Sequence, residues 1–142
     1  MNELEIEILM RNKSLRSRQP DTERVKSMIK SAEINAETAK KISLDDNSAT
    51  LVFREIYESI RQLGDAKWWS IGYEPLNHEA SLEILKDIDI KEKVKLNYLP
   101  RFKRIRNDAN YRGFRVSVSQ AKEIIEFWDK CSADIIRNLL TK

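Results

Sequence analysis

Apolar residues recur along most of the chain at steps of three and four, the period of one face of an α-helix. Val25, Met28, Ile29, Ala32, Ala36 and Ala39 form the first such stripe, running to about Ile42. Asp21 stands ahead of it behind Pro20, where its carboxylate can cap the free N–H groups, and Glu23 favours the positive end. Residues 43–48 are polar and read as a loop carrying the next cap. A second stripe follows in Val52, Phe53, Ile56, Tyr57, Ile60 and Leu63 and extends to Trp68 and Trp69. Gly64 interrupts it at a cost of only about 1 kcal/mol relative to alanine.

Residues 72–77 hold glycine, proline and asparagine together and read as the clearest loop. Beyond it, Ala80, Ile84, Leu85 and Ile88 predict a short helix. Pro100 marks a kink or the first turn of a further helix that turns Phe102, Ile105 and Ala109 inward and stops at Gly113. Ser117 and Gln120 have the spacing of a capping box, and the helix behind them packs Ala121, Ile124, Ile125, Trp128, Ile135 and Leu139. Residues 1–20 mix an alternating Leu4, Ile6, Ile8 pattern with a glutamate-rich helical composition, and read as a short helix followed by an extended basic arm. The expected fold is all-α: an antiparallel bundle of four to five helices in a single domain, with residues 1–20 a short N-terminal segment and 21–142 the bundle.

Composition narrows this further. Three glycines and three prolines in 142 residues are too few for the regular turns of a sandwich, barrel or propeller. The longest run without a charged residue is seven, at 47–53, far short of the ~20 needed to cross a bilayer. An acidic start (Glu3, Glu5) is unlike a signal peptide. The expectation is therefore a cytoplasmic protein with no membrane association. Cys131 is the only cysteine, which excludes an intramolecular disulfide and a cysteine-built zinc site, and its place among apolar residues makes it a core residue.

The net charge of +3 hides an uneven distribution. Residues 11–18 carry +4 through Arg11, Lys13, Arg16 and Arg18. Residues 101–115 carry +5, with Arg101, Lys103, Arg104, Arg106, Arg112 and Arg115 against Asp108 alone. The rest of the chain is acidic overall. Such a basic focus suits phosphate binding through counterion release, or else forms a solvated helix face paired to acids elsewhere. Phe102, Tyr111 and Phe114 lie in the same segment, where they either stack on bases or pack against the core. No glycine-rich phosphate loop or dinucleotide fingerprint is present, and one histidine cannot build a multi-histidine metal site. No cofactor and no metal are expected. His78, next to Asn77 and Glu79, reads as a cap or an interhelical hydrogen bond rather than a catalytic group.

Two stretches together resemble the HEPN superfamily of small helical, nucleotide-binding domains. One is Ile56-Tyr57-Glu58-Ser59-Ile60-Arg61-Gln62-Leu63-Gly64-Asp65-Ala66 with Gly72-Tyr73-Glu74-Pro75-Leu76-Asn77-His78-Glu79-Ala80. The other is Arg104-Ile105-Arg106-Asn107-Asp108-Ala109-Asn110-Tyr111-Arg112-Gly113, similar to the family motif of an arginine, a polar residue and a later histidine. The resemblance implies a homodimer whose two arginine motifs meet in a cleft. It further implies RNA as the ligand, with either metal-independent ribonuclease activity, often as the toxin paired with a nucleotidyltransferase-type antitoxin, or a non-catalytic RNA-binding or assembly role. Carried over, the catalytic constellation is Arg106, Asn107 and Tyr111, with Arg101, Lys103, Arg104, Arg112 and Arg115 binding RNA. Arg106 would stabilise the scissile phosphate. Tyr111 stands where the family has histidine, and a phenol is a poor base at neutral pH.

Two other readings compete. Arg106 could instead anchor the helices through Glu55 or Glu58. The apolar run from Trp68 to Tyr73 could be the docking surface of a non-catalytic interaction module, such as a partner of a nucleotidyltransferase-type antitoxin, unless the tryptophans face the core.

Overall fold

A computed structural model of the chain describes residues 1–141. Asn2 opens α1 (Glu3–Arg11) with a reciprocal cap to Glu5, and β1 (Leu15–Ser17) follows. Asp21 caps α2 (Thr22–Lys40) by accepting the Arg24 N–H, as the sequence predicts. The stripe of α2 is buried at Val25, Ile29, Ala32, Ala36 and Ala39. These alanines let α2 lie close along α3 (Ala49–Ser70), the most deeply buried element. Its far side packs against α6 (Val118–Leu140), which opens with the expected Ser117–Gln120 capping box.

The 72–77 segment is more ordered than a loop. Tyr73–Pro75 is a strand, β2, paired antiparallel with β1 so that Arg16 lies opposite Glu74. The ribbon continues at both ends through the Arg18 N–H to the Gly72 carbonyl and the Leu76 N–H to the Ser14 carbonyl. The chain is thus mostly helical rather than all-α, with six α-helices among the described residues instead of four to five, plus this ribbon. Leu9 and Leu15 join the same apolar cluster as the long helices, so residues 1–20 share the core of the rest.

α4 (His78–Glu83) is shorter than the pattern suggests, although Ile84, Leu85 and Ile88 beyond it are still buried. A 3₁₀ turn (Lys93–Tyr98) leads into α5 (Leu99–Arg112), where Pro100 occupies the first turn and Gly113 ends the helix at φ 69°. Phe102 of α5 packs edge-on against Phe53 of α3 and Phe127 of α6. No helix among the described residues is long and apolar enough to cross a membrane.

Candidate functional site

Anchoring by Phe102 sets the roll of α5, and that decides which of its charges converge. With 3.6 residues per turn, Leu99, Phe102, Ile105 and Ala109 define the inner face. Lys103, Arg106, Asn107 and Asn110 fall on one flank of that face, Arg101, Asp108 and Arg112 on the other. Tyr111 and Arg104 point outward between the flanks, and Tyr111 is 77% exposed.

The second flank is already engaged. Arg101 grips Glu123 of α6 through two bonds of 2.7 and 2.6 Å. Arg112 lies over the ring of exposed Phe114, and Arg115 donates to the Asn47 carbonyl at 2.8 Å. The eight residues expected from the sequence are therefore not a single surface. Lys103, Arg106 and Asn107 are brought together, Arg104 and Tyr111 stand beside them in solvent, and Arg101, Arg112 and Arg115 lie apart. Phe102, one of three aromatics offered for base stacking, is only 1% exposed and belongs to the core.

Arg106 is half-buried. Its guanidinium lies over the Tyr57 ring, 5.7 Å from the centroid, and donates to Asn107 Oδ1 at 3.3 Å. No carboxylate pairs with it among the described residues, so it does not anchor the fold through Glu55 or Glu58. The reason lies on α3, where Glu58, Arg61 and Asp65 follow at i, i+3 and i+7 and share a side. Arg61 takes both acids, donating through Nε to Glu58 at 3.1 Å and through Nη1 to Asp65 at 2.7 Å. Ser81 of α4 donates a further hydrogen bond to Asp65. The nearest acids are thus satisfied by Arg61, and Arg106 with Lys103 remains as uncompensated positive charge.

The electrostatics follow from these contacts. Hydrogen bonds from Arg61 hold the Glu58 carboxyl below its usual range, with added help from the charge of Arg106. At Asp65 burial outweighs the hydrogen bonds of Ser81 and Arg61 and raises the pKa. Burial also pushes the Tyr57 phenol up to about 12, and its hydroxyl, fully buried, finds no hydrogen-bond partner among the described residues. His78 is half-buried at the start of α4 and lies in the field of Arg61, Arg106, Glu58 and Lys103. Burial, then the two guanidiniums, lowers its pKa below the ordinary 6.5. It caps nothing: Asn77 does that, accepting the Ala80 N–H at 3.1 Å, and the imidazole makes no hydrogen bond among the described residues.

Tyr57, Glu58, Arg61 and His78 were not among the expected site residues. A signal for two of them was available, because Glu58-x-x-Arg61-x-x-x-Asp65 places charges at helical spacing inside an otherwise buried helix. In the apolar run from Trp68 to Tyr73 the two tryptophans face inward, and Ile71 is its exposed large apolar residue. Trp68 is fully buried and donates to the Ala80 carbonyl at 2.6 Å, and Trp69 is covered by the Arg24 guanidinium at 4.2 Å. Cys131 is buried in α6, where desolvation pushes its thiol up to about 11, as suits a core residue. No group of three or more His, Cys, Asp or Glu side chains among the described residues is placed to hold a metal ion.

Fold and site together define a small, mostly helical protein with a half-buried arginine on α5, set over Tyr57 of α3 and paired to no carboxylate among the described residues. No protein-family model, curated protein or solved structure matches the chain, so its function has to be read from its own residues.

Proposed function

We propose that this chain is a HEPN-like, homodimeric RNA-binding protein, a cytoplasmic antiparallel helical bundle that holds the phosphodiester backbone against α5. Arg106, assisted by Asn107 and Lys103, is the centre of that grip, and metal-independent cleavage of toxin–antitoxin type is the chemistry the same site suits. The observation that carries the reading is the unpaired guanidinium. A half-buried arginine is costly to leave without an anion, and here the neighbouring carboxylates are already taken by Arg61. A phosphate fits what remains, since a planar fork donor binds it through two parallel bonds. The buried Tyr57 hydroxyl beside it also lacks an acceptor. Arg104 and Tyr111 extend the surface outward, one towards phosphate and the other as a stacking platform for a base. In a homodimer, two α5 flanks would face each other across one cleft.

The test is a gel shift with single-stranded and structured RNA in excess chelator, repeated over a range of salt. Arg106→Ala is expected to weaken binding and to reduce the slope of log affinity against log salt by about 0.7 for a single strand. Arg101→Ala, whose side chain is committed to Glu123, is expected to change affinity much less. Unchanged affinity and salt slope in Arg106→Ala would overturn the reading.

A further inference from the structure

Where α5 passes into α6, the chain forms a cleft of about 390 Å³, within the range of small-ligand sites. Its lining is Ile105 and Asp108 from α5, Phe114, Arg115 and Val116 from the connection, and Gln120 from α6. The connection is pinned along its length. The Asp108 carbonyl accepts the N–H groups of Gly113 and Phe114, the latter at 3.3 Å. Arg115 donates to the Asn47 carbonyl at 2.8 Å, and the Val116 N–H donates to Thr50 Oγ1 at 2.9 Å. The cleft is therefore held in shape before anything enters it.

Its polar groups are not matched by the protein. Asp108 is half-buried, and its carboxylate makes no hydrogen bond or ion pair among the described residues. Gln120 uses its Oε1 to accept the Ser117 N–H at 3.0 Å, which leaves its Nε2 amide a donor without a partner among them. Phe114 is 53% exposed, and the Arg112 guanidinium above its ring does not line the cleft. The part of the ring that borders the cleft is thus open to stacking.

An unpaired carboxylate, one amide donor and an aromatic ring in one cleft suit a flat ligand with two donors beside an acceptor. Among the four RNA bases only guanine has that edge, with N1–H and the N2 amino group next to O6. Adenine and cytosine set a ring-nitrogen acceptor against the carboxylate, and uracil has one donor between two carbonyls. A cationic ligand would also answer the carboxylate, but Arg115 in the wall and Arg112 beside Phe114 repel it.

We propose that this cleft reads a guanine base of single-stranded RNA: Phe114 stacks on it, the Asp108 carboxylate accepts from N1–H and N2–H, and Gln120 donates to O6. The proposal rests on the RNA reading above. Arg104 and Tyr111 lie outward on α5 between the flank of Arg106 and that of Asp108. A strand gripped at Arg106 crosses them to reach the cleft.

The experiment measures fluorescence anisotropy of end-labelled oligouridylates carrying one central guanosine, adenosine, cytidine or inosine, in chelator. The parent is expected to bind the guanosine strand about 10-fold or more tighter than the all-uridine strand. Inosine, which lacks the N2 amino group, should fall between them. Asp108→Asn is expected to abolish the preference while all-uridine affinity holds or rises, since a negative charge has gone. Arg106→Ala is expected to lower every affinity together and keep the preference. A parent that prefers another base or none would overturn the proposal and leave the RNA reading standing, as would a guanosine preference kept by Asp108→Asn. Tighter binding of argininamide than of guanosine monophosphate, read from the ligands' proton resonances, would assign the cleft to a guanidinium and also overturn it. Binding to no strand would remove both readings.

Discussion

Gly64→Ala is a substitution that helix propensity alone would favour, by about 1 kcal/mol in the middle of α3. The packing reverses the sign. A Cβ at position 64 would sit 1.9 Å from the Ser81 carbonyl oxygen and 2.8 Å from its carbonyl carbon, both backbone atoms of α4. Ordinary contact needs close to 3.4 Å, so α4 must move away by roughly 1.5 Å. That shift breaks the hydrogen bond from Ser81 to Asp65 and the one from Trp68 Nε1 to the Ala80 carbonyl, both buried. Overpacking costs about 1–3 kcal/mol and each buried bond about 1, which leaves a net loss of roughly 2–4 kcal/mol after the propensity gain. For a chain of this size that lowers Tm by about 6–14 °C. Urea and thermal unfolding followed by circular dichroism would measure it. Gly113→Ala is the control: nothing lies within 4 Å of its Cβ, and only the left-handed φ of 69° opposes the change, at about 1–2 kcal/mol. A Gly64→Ala protein as stable as the parent, or more so, would refute the close approach of α3 and α4.

Two further outcomes are expected. Because the folded pKa of His78 is depressed, the stability it contributes is full above 6.5 and is lost as pH falls through its folded value. Urea midpoints measured down through that window should fall in the parent and flatten in His78→Gln. Phe102→Ala should cost about 3–5 kcal/mol in a chevron or equilibrium melt, whereas Tyr111→Ala on the same helix should stay within about 0.5 kcal/mol. Equal losses at the two positions would mean that α5 is rolled differently.

What the sequence made legible was local. The stripe on α2, the caps at Asp21 and Ser117 and the stop at Gly113 each depend on residues within one turn of one another, and each is found where the pattern places it. The ribbon was hidden because three-residue strands carry almost no periodic signal and Arg16 meets Glu74 across 58 positions. The division of α5 into two flanks was readable from its own spacing once Phe102 was taken as inward. What lies opposite each flank was not, since Glu123 on one side and Tyr57 and His78 on the other arrive from separate helices. The same applies to Gly64: its helical cost is visible in the chain, and the backbone of α4 pressed against it is not.

The two-stranded ribbon has a consequence for everything downstream of it. Without cross-strand bonds, the few residues between α3 and α4 would be a slack joint, and the imidazole at the end of it would sample many orientations. Pairing with residues 14–18, and the Asn77 bond to Ser14, turn that joint into a bracket. The N-terminal segment therefore sets how the first turn of α4 is held. Trimming the chain back to the start of α2 would thus free the joint before α4 and also strip Leu9 and Leu15 from the core.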